Sequence, residues 1–145
     1  MPEEKKPAVV VGAFIRDQNG NILLVKSVKW PGLWVVGGGH VEYGETIKAA
    51  IEREVLEEYG LEVEFQRIIK VAEFINSPQF IKKDKHFIAI QCECLALKPE
   101  AIKLDDVELQ EYQWFTLKEA SELTDIVPTT GNTIKEMYAE EYGKK

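Results

Sequence analysis

Cysteine is nearly absent from this chain. Its two residues, Cys92 and Cys94, stand two apart in a stretch that reads as a strand. Both therefore point to one face and cannot easily bridge. A disulfide-stapled secreted scaffold is excluded, and a reduced, cytoplasmic protein is the expectation. Histidine is as scarce, with only His40 and His86, so no cysteine or histidine pairs have the spacing of a zinc site. No apolar run reaches the roughly 18 residues that cross a bilayer. The charged start Met1 to Pro7 leads into no signal-peptide core. Basic charge is in deficit: 18 lysines and arginines face 25 acids, for a net charge of −7. That argues against nonspecific nucleic-acid binding, which needs a basic surface. It also poses a problem for any phosphate substrate, because an acidic protein repels an anion unless a bound divalent cation inverts the local charge.

What is present fits one ordinary domain, 1–145, with a hydrophobic fraction of 45%. Such a chain can bury a core without staples. Ala8 to Arg16 is a valine-rich strand, and Asp17-Gln18-Asn19-Gly20 a turn suited to positive φ. Asn21 to Lys26 returns as a second strand, so the pair is expected as a hairpin. Leu33 to Val36 is a short strand before Gly37-Gly38-Gly39. Thr46 to Tyr59 has helical periodicity, and Gly60 is its natural stop. Glu62 to Asn76, Lys85 to Leu97 and Glu111 to Thr116 read as strands. Leu117 to Leu123 reads as a short helix. A last helix runs from Pro128 to near Tyr142, with Ile134, Met137 and Tyr138 inward. The order predicts an α+β or layered α/β/α domain with a mixed or largely antiparallel sheet.

The helix from Thr46 carries charge where core residues belong. With Ile47 at zero and roughly 100° per residue, Ile51 falls near 40° and Val55 near 80°. Glu58 then falls at about 20°, Glu54 at about −20° and Glu57 at about −80°, within or along the inward edge. Lys48 and Glu52 take the opposite face. The bland alternative is a charged surface helix whose end strays near the core. Clustered carboxylates repel, and burying them costs more. Arg53 cannot balance all three and Glu45 as well, whereas a hard divalent cation can. The glycine run in front would let backbone pass close to a ligand, with carbonyls available to a metal.

Gly39, five residues, Glu45, seven residues and then Arg53-Glu54-Val55-Leu56-Glu57-Glu58-Tyr59-Gly60-Leu61 fill every specified position of a known pattern. The stretch resembles the Nudix box. Chance agreement at a given start is on the order of 10⁻⁸ at average residue usage. The resemblance implies a Nudix-type α/β/α sandwich with a mixed central sheet. It implies that Glu54, Glu57 and Glu58 hold Mg²⁺, or Mn²⁺ in its place, with the Gly39 carbonyl also within reach. It assigns Gly38 and Gly39 to the substrate diphosphate, and Glu45 with Arg53 to holding loop against helix, a contact suited to the arginine fork. Many members add one late acidic residue as ligand or base. Glu108 is the choice here, with Glu111, Asp105 and Asp106 as rivals. Gly37 departs from the proline common before the paired glycines.

The implied activity is metal-dependent hydrolysis of a phosphoanhydride in a nucleoside diphosphate derivative. Glu54 or Glu108 would take the proton of the attacking water. Trp30 and Phe80 are the expected base-stacking residues. Tyr43 is a weaker candidate, and Trp34 reads as packing. His40 and His86 read as plain loop and strand residues. The short chain looks like MutT-like members, so a nucleoside triphosphate ranks first and ADP-ribose or another nucleotide sugar second. Pro78 is off the register that marks ADP-ribose relatives. A catalytically silent nucleotide-binding domain is the reading of another class, and a calcium-binding structural domain a weaker third. The expected partner is a small nucleotide, with no nucleic acid and no membrane. A homodimer fits both the family and the prevalence of symmetric pairs.

Overall fold

Thr46 and Gly60 set the limits of the helix on which the site is built. In the computed structural model, which describes residues 5–143, helix α1 spans Ile47–Tyr59. The Thr46 side chain accepts from the Ala49 N–H, and Gly60 at φ 67° returns its N–H to the Leu56 carbonyl. The helix thus starts on a cap and stops on a left-handed glycine. Residues 1–4, part of the charged start, lie outside the described range.

The strands are β1 (Ala8–Arg16), β2 (Ile22–Ser27), β3 (Trp34–Val35), β4 (Gly38–His40), β5 (Val63–Ile75), β6 (His86–Ala96) and β7 (Leu109–Phe115). Helices α2 (Leu117–Ser121) and α3 (Pro128–Tyr142) close the described chain. A single 3-10 turn, Pro99–Ala101, was not expected from the sequence. The seven strands form one mixed sheet in the order β3-β2-β1-β6-β5, with β4 on β1 and β7 on β2.

The expected β1–β2 hairpin exists only at its tip, where Arg16 pairs with Ile22. The turn itself is as read: Asp17 Oδ1 accepts from the Asn19 and Asn21 N–H groups, and Gly20 has φ 83°. Beyond it the strands diverge. Strand β1 lies parallel to β6 along its whole length and takes β4 on its other edge, from Val10–His40 to Gly12–Gly38. Strand β2 instead pairs with β7 from Ile22–Phe115 to Ser27–Leu109. Long-range pairing thus overrides the local turn.

Side chains alternate along β1. Val11, Ala13 and Ile15 face α1, where they meet Ile51, Val55, Cys92 and Cys94. Phe14 faces the other way, onto Ile134 and Met137 of α3. Both cysteines are free and buried on one face, as their spacing predicts. In α3 Tyr138 is only partly buried, with its ring 5.1 Å from that of Tyr142. No helix among the described residues is long and apolar enough to cross a membrane.

Candidate active site

The glycine run is not a free loop. Gly38 and Gly39 belong to β4, and each glycine of the run lies against protein. A Cβ on Gly37 would meet the Tyr59 hydroxyl at 2.6 Å, one on Gly38 would run into the Val11 carbonyl oxygen, and one on Gly39 into the Glu54 carboxylate. These contacts clamp the end of α1 to the sheet. The Gly37 N–H donates to Tyr59 Oη at 2.7 Å, and the Gly38 N–H donates to Glu58 Oε1 at 2.9 Å. Burial drives the Tyr59 pKa upward, so it stays a neutral phenol.

The three helix glutamates have three different environments. Glu58 is buried at 7% exposure. Desolvation, then the negative charges of Glu54, Glu108 and Asp105, push its pKa up to about 8; the Gly38 N–H only partly opposes this. Glu54 is mostly covered, with its side chain 14% exposed and an oxygen 2.8 Å from Arg53 Nη1. Glu57 does not lie along the inward edge as the helical wheel predicts: its side chain is 59% exposed and reaches back to Arg53 at 3.4 Å. The wheel omits the flanking structure, which leaves that edge of α1 open at Glu57.

Arg53 organises the group. Its Nε and Nη2 grip Glu45 at 2.7 and 2.9 Å, the bidentate geometry of a planar guanidinium. Nη2 also donates to the His40 carbonyl. The Arg53 hydrogen bond, with help from the Glu42 N–H, holds the Glu45 carboxyl down at about 2. Glu45, Glu54 and Glu57 thus share one arginine, and Glu58 has no cation against it among the described residues.

Across the cleft, Asp105 Oδ1 accepts from the N–H groups of Val107, Glu108 and Leu109, which fixes the loop that carries Glu108. Glu108 pairs with Lys29 at 3.1 Å. Glu111 sits on β7 opposite Lys26, and Asp106 adopts φ 63° in the turn. Glu108 and Glu58 both line a cavity of about 160 Å³, together with Gly38 and Gly39. Trp30 and Phe80 line it too, with ring centroids 4.9 Å apart. Tyr43 is fully exposed, and Trp34 is buried against Phe115.

Sequence reasoning missed Tyr59 as the partner of the glycine run, and it missed Gln91. Gln91 is a polar residue amid the apolar residues of β6, 3% exposed, lining the same cavity and 2.6 Å from the Thr133 hydroxyl. A polar residue set between Ile90 and Cys92 was the available signal.

The donor set suits a hard cation: acidic oxygens, one of them desolvated and surrounded by like charge. Among the described residues, however, no three histidine, cysteine, aspartate or glutamate side chains converge on one point. Glu54 and Glu57 are turned onto Arg53 instead.

A family model of the NUDIX domain matches residues 6–137. Nudix hydrolase 5 of Arabidopsis thaliana is 30% identical, over 82% of this chain and 39% of that protein. Nucleoside diphosphate-linked moiety X motif 6 of Xenopus laevis is 32% identical, over 70% of this chain and 50% of that protein. The chain therefore spans half or less of these relatives. The crystal structure of the MutT protein from Methanosarcina mazei Go1 superposes with a TM-score of 0.78 at 25% identity, covering 99% of this chain and all of that one.

Proposed function

Since the chain belongs to the Nudix family, we propose that it hydrolyses a phosphoanhydride bond in a nucleoside diphosphate derivative, with a divalent cation, and that a nucleoside triphosphate is the first choice of substrate. The observation that carries this reading is Glu58: a buried carboxyl group beside Glu54 and Glu108, with no cation against it among the described residues. Burying such a group uncompensated is costly, so a ligand of positive charge is the natural occupant.

Glu54, Glu57, Glu58 and Glu108, with the Gly39 carbonyl, would hold Mg²⁺ or Mn²⁺. Bound there, the ion would offset the charge of the diphosphate and ease deprotonation of water near neutral pH. The chain's own groups do the rest. Gly38 holds Glu58 through its N–H, and Glu45 holds Arg53 so that Glu54 stays at the head of the cluster. Trp30 and Phe80 offer apolar ring surface to the base. Glu54 or Glu108 accepts the proton as the water oxygen bonds to one phosphorus and the bridging P–O bond breaks. A triphosphate would yield the monophosphate and pyrophosphate.

Purified protein incubated with Mg²⁺ and a panel of nucleoside triphosphates, ADP-ribose, nucleotide sugars and dinucleoside polyphosphates tests this, with products identified by mass. Turnover that is lost in Glu57→Gln supports the hydrolase, and the product pair names the bond and the substrate class. Metal binding without turnover on any compound favours a silent nucleotide-binding domain. The cysteine thiols, pushed up to about 11 and about 12 by burial, are inert in this scheme.

A further inference from the structure

Beside the catalytic cleft lies a second cavity, of about 610 Å³, with a charge opposite to that of the protein. Among the described residues, Lys5, Lys6, Lys29, Lys82 and Lys85 line it against one acid, Asp84. Asp84 is taken by Lys5, which holds its carboxyl below the ordinary value. Lys6, Lys82 and Lys85 have no acidic partner among the described residues, although acids outnumber bases 25 to 18 in the chain.

The cavity adjoins the cleft: Lys29, His40, Phe80 and Phe87 line both. The segment that carries Lys82 and Lys85 is held in place. Asn76 and Lys85 exchange two hydrogen bonds, 2.7 Å from the Asn76 N–H to the Lys85 carbonyl and 2.9 Å from the Lys85 N–H to Asn76 Oδ1. The Ile81 N–H donates to the Lys29 carbonyl at 2.9 Å, tying this loop to the one after β2. His86 stands in the wall with its Nε2 buried and without a hydrogen-bond partner among the described residues.

The geometry points to an anion subsite that takes a phosphate group of the substrate additional to the scissile diphosphate. This inference rests on the hydrolase reading for its substrate and on the lysines alone for its binding. The carboxylate cluster repels an anion, and this rim, which meets the cleft at Lys29, attracts one. The extra phosphate is either the third phosphate of a nucleotide or one carried on a sugar.

Two measurements test it. In EDTA, where the carboxylates have no cation with which to hold an anion, inorganic pyrophosphate is titrated at low salt into the wild-type chain and Lys82→Gln/Lys85→Gln. Both lysines are exposed, so the double variant folds. Binding by the wild type that is lost in the variant is expected. No binding by the wild type, or equal binding by both, overturns the subsite. Then KM is compared, with Mg²⁺, for a nucleoside triphosphate against its diphosphate and for ADP-ribose 2′-phosphate against ADP-ribose. In the double variant KM rises by about tenfold for the member bearing the extra phosphate, as for a lost charge-assisted contact, while the other member and kcat stay unchanged. The pair that responds identifies where the phosphate is carried. Equal changes within both pairs overturn the substrate assignment. Pyrophosphate binding with no turnover on any compound leaves the subsite standing and refutes the hydrolase reading.

Discussion

Replacing Glu58 with glutamine is expected to strengthen the metal-free fold while disabling the site. Burial and the charges of Glu54, Glu108 and Asp105 raise the Glu58 pKa from 4.5 to about 8 in the folded chain. Between those values the unfolded chain has released the proton and the folded chain has kept it. Folded protein then binds more protons than unfolded, so stability falls as pH rises. The contribution is fully present below the ordinary value and is lost as pH climbs through about 8. Each unit of pH costs about 1.4 kcal/mol in that window. From pH 6 to pH 8 the metal-free protein should lose about 2–3 kcal/mol through this group, or about 5–10 °C in Tm for a domain of this size. Glutamine keeps the oxygen that accepts from Gly38 and carries no charge, so Glu58→Gln lacks this loss. Thermal unfolding in EDTA at several pH values, for both proteins, measures the difference directly. Mg²⁺ should recover the wild type at pH 8 and leave the variant unmoved. Parallel Tm-against-pH curves in EDTA would refute the reasoning, because Glu58 would then be no more desolvated than an ordinary surface glutamate.

Other outcomes follow from the same geometry. Glu57→Gln should lower turnover by orders of magnitude and leave Tm nearly unchanged, because that side chain is largely exposed; near-normal turnover would remove Glu57 from the site. Tyr59→Phe leaves the buried Gly37 N–H without its acceptor, at a cost of about 1–3 kcal/mol in urea unfolding. Gly38→Ala drives a methyl into the Val11 carbonyl and should separate β4 from β1, seen as loss of soluble folded protein in expression trials.

Much of this was legible in the sequence, for local reasons. Thr46 and Gly60 mark α1 because a cap and a left-handed stop need those residue types. Cys92 and Cys94 share a face because strands alternate. The β1–β2 pairing was misjudged because Asp17 to Gly20 forms its turn whatever the strands beyond it do. The glycine run was read only as backbone that passes close to a ligand, because nothing local announces Tyr59, Val11 and Glu54, which reach it from distant positions. The Glu45–Arg53 contact was read from a family pattern, and the structure forms that pair. The lysine cavity could not be read at all, since it gathers residues 5–6, 29 and 82–85 through the β5–β6 hairpin and the loop after β2.

The crowding around Gly37, Gly38 and Gly39 has a genetic consequence. Any missense change in those three codons adds a Cβ, and each Cβ would collide with a different neighbour. Gly38 meets backbone, which cannot yield, whereas Gly39 meets the end of a flexible glutamate, so a saturation-mutagenesis map should show Gly38 as the least tolerant codon of the three. The lysines of the 82–85 segment face solvent and should vary freely unless a ligand selects them. A lineage could thus change what it cleaves by rewriting that loop, while the codons of the glycine run stay fixed.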